Sequence, residues 1–131
     1  MTLVDTNVLL DVLLEGSEHG DESARRMTKA LQDGPLGVNE IIAAELAPAF
    51  DREDALWTAL EDAHVDLVSF PKAAVFPAGE AFLTYRRRGG PRTRILSDFL
   101  IGAHALAADA DLLTRDRGFY RDYFPKLRLA D

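Results

Sequence analysis

The chain opens Met1-Thr2-Leu3-Val4-Asp5-Thr6-Asn7-Val8-Leu9-Leu10-Asp11-Val12-Leu13-Leu14, and the reading of this stretch decides the fold class. Thr2-Leu3-Val4 is a short apolar run that stops at Asp5-Thr6-Asn7. The segment Val8 to Leu14 is too continuously apolar for a surface helix. The stretch therefore reads as a strand, a turn and a buried helix. The same alternation recurs outward from it. A helix over about 18–33 sets Ala24, Met27, Ala30 and Leu31 on one face and meets Gly34-Pro35, a helix stop followed by a breaker. Leu36-Gly37-Val38 is a candidate strand, and Asn39 is a good N-cap for a helix Glu40–Phe50. Residues 52–63 form an amphipathic helix with Leu56, Trp57, Leu60 and Ala63 facing in. Val65–Phe70 alternates like a strand. From Pro71 to about Arg88 the pattern is helical, interrupted at Pro77. Ser97 caps a nearly all-apolar helix, Asp98 to Ala108. Leu112-Leu113-Thr114 reads as a buried strand, a short helix starts near Gly118, and Leu127–Leu129 is a last strand. Strands alternating with helices predict βαβ units and a parallel sheet, so the expectation is one α/β domain over residues 1–131.

Composition narrows the chemistry. A chain of 131 residues with 47% hydrophobic and 28% charged residues can build a core, and it contains no cysteine. Disulfides, thiolate catalysis and cysteine–zinc sites are excluded. His19, His64 and His104 lack the spacing of a helical zinc site, so any metal must sit on oxygen ligands. No apolar run approaches the ~18 residues of a membrane span. The first residues carry Asp5 and no basic cluster, unlike a signal peptide. A cytoplasmic protein is expected. The net charge of −7 hides an asymmetry: residues 1–85 hold 5 basic and 16 acidic side chains, residues 86–131 hold 10 and 6. Arg86, Arg87, Arg88, Arg92 and Arg94 crowd one segment, and Arg115, Arg117, Arg121, Lys126 and Arg128 follow. A local basic face on an acidic protein is one reading and a solvated surface the other.

Four acids sit where a core-builder would not place them. Asp5 ends the first strand, Asp116 follows the Leu112–Thr114 strand, and Asp98 opens an apolar helix. Glu45 lies within Ile41-Ile42-Ala43-Ala44-Glu45-Leu46-Ala47, with no basic residue anywhere in 35–51. A solitary charge on such a face is costly unless it is paired. Ligands of open α/β sheets bind beyond the carboxyl ends of the strands, where Asp5 and Asp116 fall and where helix N-termini such as that of Asp98 also point. Each acid has a structural alternative as a cap, a turn residue or a dipole partner. Together, four unpaired acids at one edge repel one another unless a cation joins them. Oxygen-only ligation suits Mg²⁺ or Mn²⁺.

Val4-Asp5-Thr6-Asn7-Val8-Leu9-Leu10-Asp11, Glu45-Leu46, Asp98-Phe99-Leu100-Ile101-Gly102-Ala103-His104-Ala105 and Leu113-Thr114-Arg115-Asp116 together resemble the motifs of PIN-domain ribonucleases. Within these the likeness is to the VapC-type toxins of toxin–antitoxin pairs, and it runs through almost the whole chain in order and spacing. The resemblance implies a single PIN-like domain whose central parallel sheet is flanked by helices. It implies that Asp5, Glu45, Asp98 and Asp116 form the acidic catalytic and metal-binding site, with Asn7 and Thr114 as supporting or substrate-side polar groups. It further implies a homodimer, an RNA substrate and a small cognate antitoxin protein that blocks the site. Asp11 matches an acid often found in the first motif and is read here as structural; His104 is read as a core histidine.

The expected chemistry is hydrolysis of RNA phosphodiesters by a metal-activated water, leaving a 5′-phosphate and a 3′-hydroxyl. Arg86, Arg87, Arg88, Arg92, Arg94, Arg115 and Arg117 are candidates to hold flanking phosphates. An aspartate-nucleophile phosphatase would need an acid where Asn7 stands, and a receiver domain would need a late lysine in a suitable place, where only Lys126 is present. The alternative that survives is a non-catalytic RNA-binding or protein-docking module with a vestigial site.

Overall fold

The computed structural model describes residues 1–90 and 94–131. Four three-residue strands form one parallel sheet: β1 (Thr2–Val4), β2 (Leu36–Val38), β3 (Val65–Leu67) and β4 (Asp111–Leu113), in the order β3-β2-β1-β4. Among the described residues seven α-helices flank it: α1 (Thr6–Leu13), α2 (Gly20–Asp33), α3 (Glu40–Leu46), α4 (Glu53–Asp62), α5 (Val75–Arg87), α6 (Leu96–Ala107) and α7 (Arg117–Tyr123). The register sets Leu3 beside both Gly37 and Leu112. β1 and β2 are wholly buried, which is why they read as unbroken apolar runs rather than alternating ones.

The strand order has a functional corollary. From β1 the chain winds outward through β2 to β3, then returns to lay β4 on the other side of β1. The direction of winding reverses between β1 and β4, and a crevice opens at such a switch point beyond the carboxyl ends of the strands. Asp5 follows β1 and Thr114 follows β4, so both lie at this edge of the sheet. The Asp5 N–H donates to the Leu113 carbonyl at 2.9 Å and so closes the two strand ends together.

Helix α6 runs through the core. Phe99, Ile101, Gly102, Ala103, His104 and Ala105 are all buried, which accounts for its apolar sequence. The Phe99 ring lies within 5.1–6.4 Å of the Phe82, Tyr85, Phe119, Tyr123 and Phe124 rings, an aromatic cluster joining α5, α6 and α7. Gly102 lets the Phe124 ring lie on the helix, since a Cβ there would meet it at 2.6 Å. α6 ends in a Schellman turn without glycine: Asp109 takes φ 52°, its N–H reaches Leu106 O, and Ala110 N–H reaches Ala105 O. His104 is a buried core residue. Its Nδ1 accepts a 2.9 Å bond from Asn39, whose Oδ1 caps α3 at the Ile42 N–H. Burial holds its pKa below the ordinary histidine value, so the ring is neutral.

Several sequence expectations shift. Pro77 does not interrupt a helix, because it falls in the first turn of α5, where backbone N–H groups have no intrahelical acceptor; the break comes earlier, at a 3₁₀ turn over Lys72–Ala74. The helix expected to reach Phe50 ends at Leu46, and Pro48 continues it only as a 3₁₀ turn, Ala47–Ala49. Trp57 is 38% exposed rather than inward, leaving Leu56 and Leu60 to seat α4. Ile95, not Ser97, stands at the start of α6. The expected last strand contracts to a single bridge between Leu129 and Leu112.

Candidate active site

Asp5 stands at the carboxyl end of β1. Only 6% of it is exposed, and its two oxygens carry four bonds. Oδ1 accepts the Thr6 N–H at 2.8 Å, which starts α1. Oδ2 accepts the Thr114 hydroxyl at 2.7 Å, the Tyr120 hydroxyl at 3.3 Å and the Asn7 amide at 3.4 Å. Burial raises the carboxyl most; the Thr114 and Thr6 bonds oppose it, and repulsion from Glu45 and Asp98 adds to it, leaving Asp5 at about 6. Asp5 thus combines the N-cap role with a buried acid under repulsion from two others.

The remaining acids arrive from separate elements. Glu45 is half-buried on α3, and the partners that excuse its apolar surroundings come from other helices: the Thr6 hydroxyl donates to Oε1 at 2.7 Å and the Ser97 hydroxyl to Oε2 at 3.3 Å. Asp98 lies in the first turn of α6 and accepts the Ile95 N–H at 3.2 Å. Its carboxyl is raised by burial and by Asp116, against the lowering effects of the Ile95 bond and Arg94. Asp116 follows β4 and is gripped by both terminal nitrogens of Arg94, one of them at 2.9 Å from Oδ1. The Arg94 guanidinium also lies over the Phe119 ring, 4.4 Å from its centre.

Asn7 and Thr114 stand behind Asp5 as braces. Asn7 receives the Arg115 N–H on Oδ1 at 3.1 Å and lies 3.4 Å from the Thr114 hydroxyl. Thr114 is fully buried and accepts the Asp116 N–H at 3.0 Å. Asp11 sits apart from the acids, held by Ser17, Ser23 and the Arg115 guanidinium at 2.6–3.2 Å. Burial alone would raise its carboxyl; those three partners outweigh it and hold it below the ordinary value. The arginines divide. Arg86, Arg87 and Arg88 are exposed at the end of α5, with Arg86 near the Phe82 ring and Arg88 near the Tyr123 ring. Arg94 and Arg115 are engaged by Asp116 and Asp11, and Arg117 donates to the Ala130 carbonyl at 2.6 Å. Arg92 lies outside the described residues.

Three site partners escape the sequence reading: Thr6, Ser97 and Tyr120. Ser97 looks like a cap, and Thr6 like a turn residue. Tyr120 could have been found from its place one helical turn after Asp116, on the face turned back toward the strand.

The donor set is four carboxylates and no softer ligand, which is the chemistry of a hard divalent cation. Burial is the main cause that raises Asp5 and Asp98, and the repulsion between acids that adds to it is what such an ion would relieve. Among the described residues no three Asp, Glu or His side chains converge as a ready-made metal group. Each acid is engaged by protein donors instead, Asp116 by an arginine. The residues fit a cation by charge and ligand type, with Asp116 required to exchange Arg94 for it.

A family model described as the PIN domain matches residues 2–124. No curated protein matches the chain in sequence. Solved structures resemble it in fold at low identity. VapBC2 of Rickettsia felis, bound to a DNA fragment from its promoter, superposes with a TM-score of 0.74 at 21% identity, covering 98% of this chain and 96% of that one. VapBC-1 of nontypeable Haemophilus influenzae gives 0.74 at 19%, covering 99% and 96%. A toxin–antitoxin complex from Klebsiella pneumoniae gives 0.63 at 21%, covering 92% and 90%.

Proposed function

The chain belongs to the PIN-domain family, and we propose on that premise that it is a divalent-metal-dependent ribonuclease, the toxin of a type II toxin–antitoxin pair. The observation that supports the reading is that Glu45 and Asp98 both oppose ionisation of the buried Asp5, while Asp116 in turn opposes that of Asp98. Asp5, Asp98 and Asp116 would hold Mg²⁺ or Mn²⁺, with Glu45 beside them. When bound, the cation would supply charge neutralisation for an anionic substrate and activation of water. The chain's own part is positional. Thr114, Asn7 and Tyr120 fix one oxygen of Asp5, Thr6 and Ser97 orient Glu45, and α6 carries Asp98 to the edge. Glu45 then stands ready to take a proton from the nucleophile. Because no ribose hydroxyl takes part, the products are a 5′-phosphate and a 3′-hydroxyl.

The antitoxin part of the reading has its own support. A groove of about 580 Å³ between α3 and α4 is lined by Ala44, Ala47, Leu56, Trp57 and Leu67, with three acids, Glu40, Asp51 and Glu53, against one cation, Arg52. An amphipathic segment with basic flanks suits it. One observation favours the alternative of a non-catalytic module: Asp116 is closed off by Arg94.

The test is cleavage of a mixed RNA pool by the purified protein with Mg²⁺, Mn²⁺ or EDTA, beside Asp5→Asn. Cleavage that requires metal, vanishes in the variant and leaves 5′-phosphates upholds the enzyme. Cyclic 2′,3′-phosphate ends overturn the mechanism, and RNA binding without cleavage favours the docking module.

A further inference from the structure

Although the chain is acidic overall, one cleft is walled by cations. Arg25, Arg26 and Lys29 of α2 and Arg117 of α7 surround about 250 Å³, with Asp131 at one side. A second cleft, of about 310 Å³, shares Arg26 and Arg117 and extends to Arg115 and Ser23. Two shared walls make the pair one trough. Five cations line it against Glu22 and Asp131, and with Arg115 paired to Asp11 the surplus is two positive charges.

The inner end of the trough is Arg115, whose guanidinium is held by Asp11. Arg115 stands between Thr114 and Asp116 in the chain, and its backbone N–H is bonded to Asn7. The outer wall is one face of α2, because residues 22, 25, 26 and 29 recur at helical spacing. Glu22 accepts two N–H bonds from Arg25, at 2.6 and 3.1 Å, and one from Arg26 at 3.0 Å. It orders both guanidiniums while leaving most of their five donors each for another acceptor. Planar guanidiniums along an open trough suit a run of phosphodiesters better than a single small anion.

We propose that this trough carries the backbone of single-stranded RNA to the acids, past α2 and α7 rather than along Arg86–Arg88. The inference rests on the ribonuclease reading and adds the path of its substrate. Arg25 and Lys29, 63% and 54% exposed in their side chains, contact the RNA strand away from the site of cleavage.

The experiment is fluorescence anisotropy of a labelled 20-nucleotide RNA, titrated over a range of salt. It is done in an Asp5→Asn background, which keeps the RNA intact. Adding Arg25→Ala and Lys29→Ala removes two phosphate contacts. Binding at 0.15 M salt weakens about tenfold, and the slope of log affinity against log salt falls by about 1.4. Lys29→Ala alone gives about half of each effect, and Arg52→Ala, outside the trough, gives none. Both altered side chains are exposed, and circular dichroism checks that the variants fold. If wild type cuts RNA while the double variant keeps the parent's affinity and slope, the trough is off the RNA path and the ribonuclease reading stands. If wild type neither cuts RNA with Mg²⁺ or Mn²⁺ nor binds it, both readings fall.

Discussion

Asp5→Asn should make the protein more stable at neutral pH while it destroys the candidate site. Moving a carboxyl from 3.8 to about 6 on folding makes the ionised native state about 3 kcal/mol costlier at pH 7.5. Asp5 is only 6% exposed, so solvent screening trims little of this. Asparagine removes the penalty and can still accept the Thr6 N–H. It does place an amide N–H₂ near the Thr114 and Tyr120 hydroxyls and the Asn7 amide, where rearranged bonds cost about 1 kcal/mol. The net gain is about 2 kcal/mol, or roughly 7 °C in Tm for a chain of this length. The sign with pH is fixed by the direction of the shift. Asp5 is raised on folding, so stability from its protonation is complete below 3.8 and is lost as pH rises through about 6. At pH 4.5 the penalty shrinks to about 1 kcal/mol, and wild type and variant should melt together. Thermal unfolding in EDTA at pH 4.5 and 7.5 measures both limits. A variant that melts below wild type at pH 7.5, or a difference that ignores pH, would refute the reasoning.

Arg94→Ala frees Asp116 and removes a competing cation, so Mn²⁺ should bind about fivefold tighter by calorimetric titration, the scale of one partly exposed ion pair; unchanged or weaker binding sinks the idea that Arg94 holds the place of the metal. Asn39→Ala removes the cap at Ile42 and the partner of His104 together, and should lower stability by about 2–3 kcal/mol in urea unfolding. Gly102→Ala drives a methyl against the Phe124 ring, and overpacking of about 1–3 kcal/mol should outweigh the helix-propensity gain of about 1 kcal/mol. A midpoint equal to wild type would mean that the ring shifts without strain.

The fold was legible wherever burial dictated composition. β1 and β2 announce themselves because they are buried and cannot alternate, and α6 because its middle, Phe99 to Ala105, is mostly buried. Asn39 announces α3 because capping is local chemistry. The four acids were legible because they break that rule of burial. What escaped was set by partners far away in the chain. Thr6 and Ser97 serve Glu45 across 39 and 52 residues, and no local pattern marks that service. Pro77 misled because its effect depends on whether it falls in the first turn or the interior of a helix, and only the preceding 3₁₀ turn decides that. Arg94 and Arg115 looked like phosphate ligands by charge; sequence has no means of seeing that Asp116 and Asp11 hold them. Arg25, Arg26 and Lys29 were unremarkable in an acidic half until α2 was laid beside α7.

The partners of Asp5 bear on when the site can exist during synthesis. Its carboxylate is held by Thr114 and Tyr120, 109 and 115 residues further along the chain. β1 has its second neighbour only when β4 arrives. A nascent chain that has reached α5 can therefore pair β1, β2 and β3, yet it still lacks Asp98, Asp116 and every long-range brace on Asp5. The strand order withholds a complete candidate site until nearly the whole domain has emerged from the ribosome.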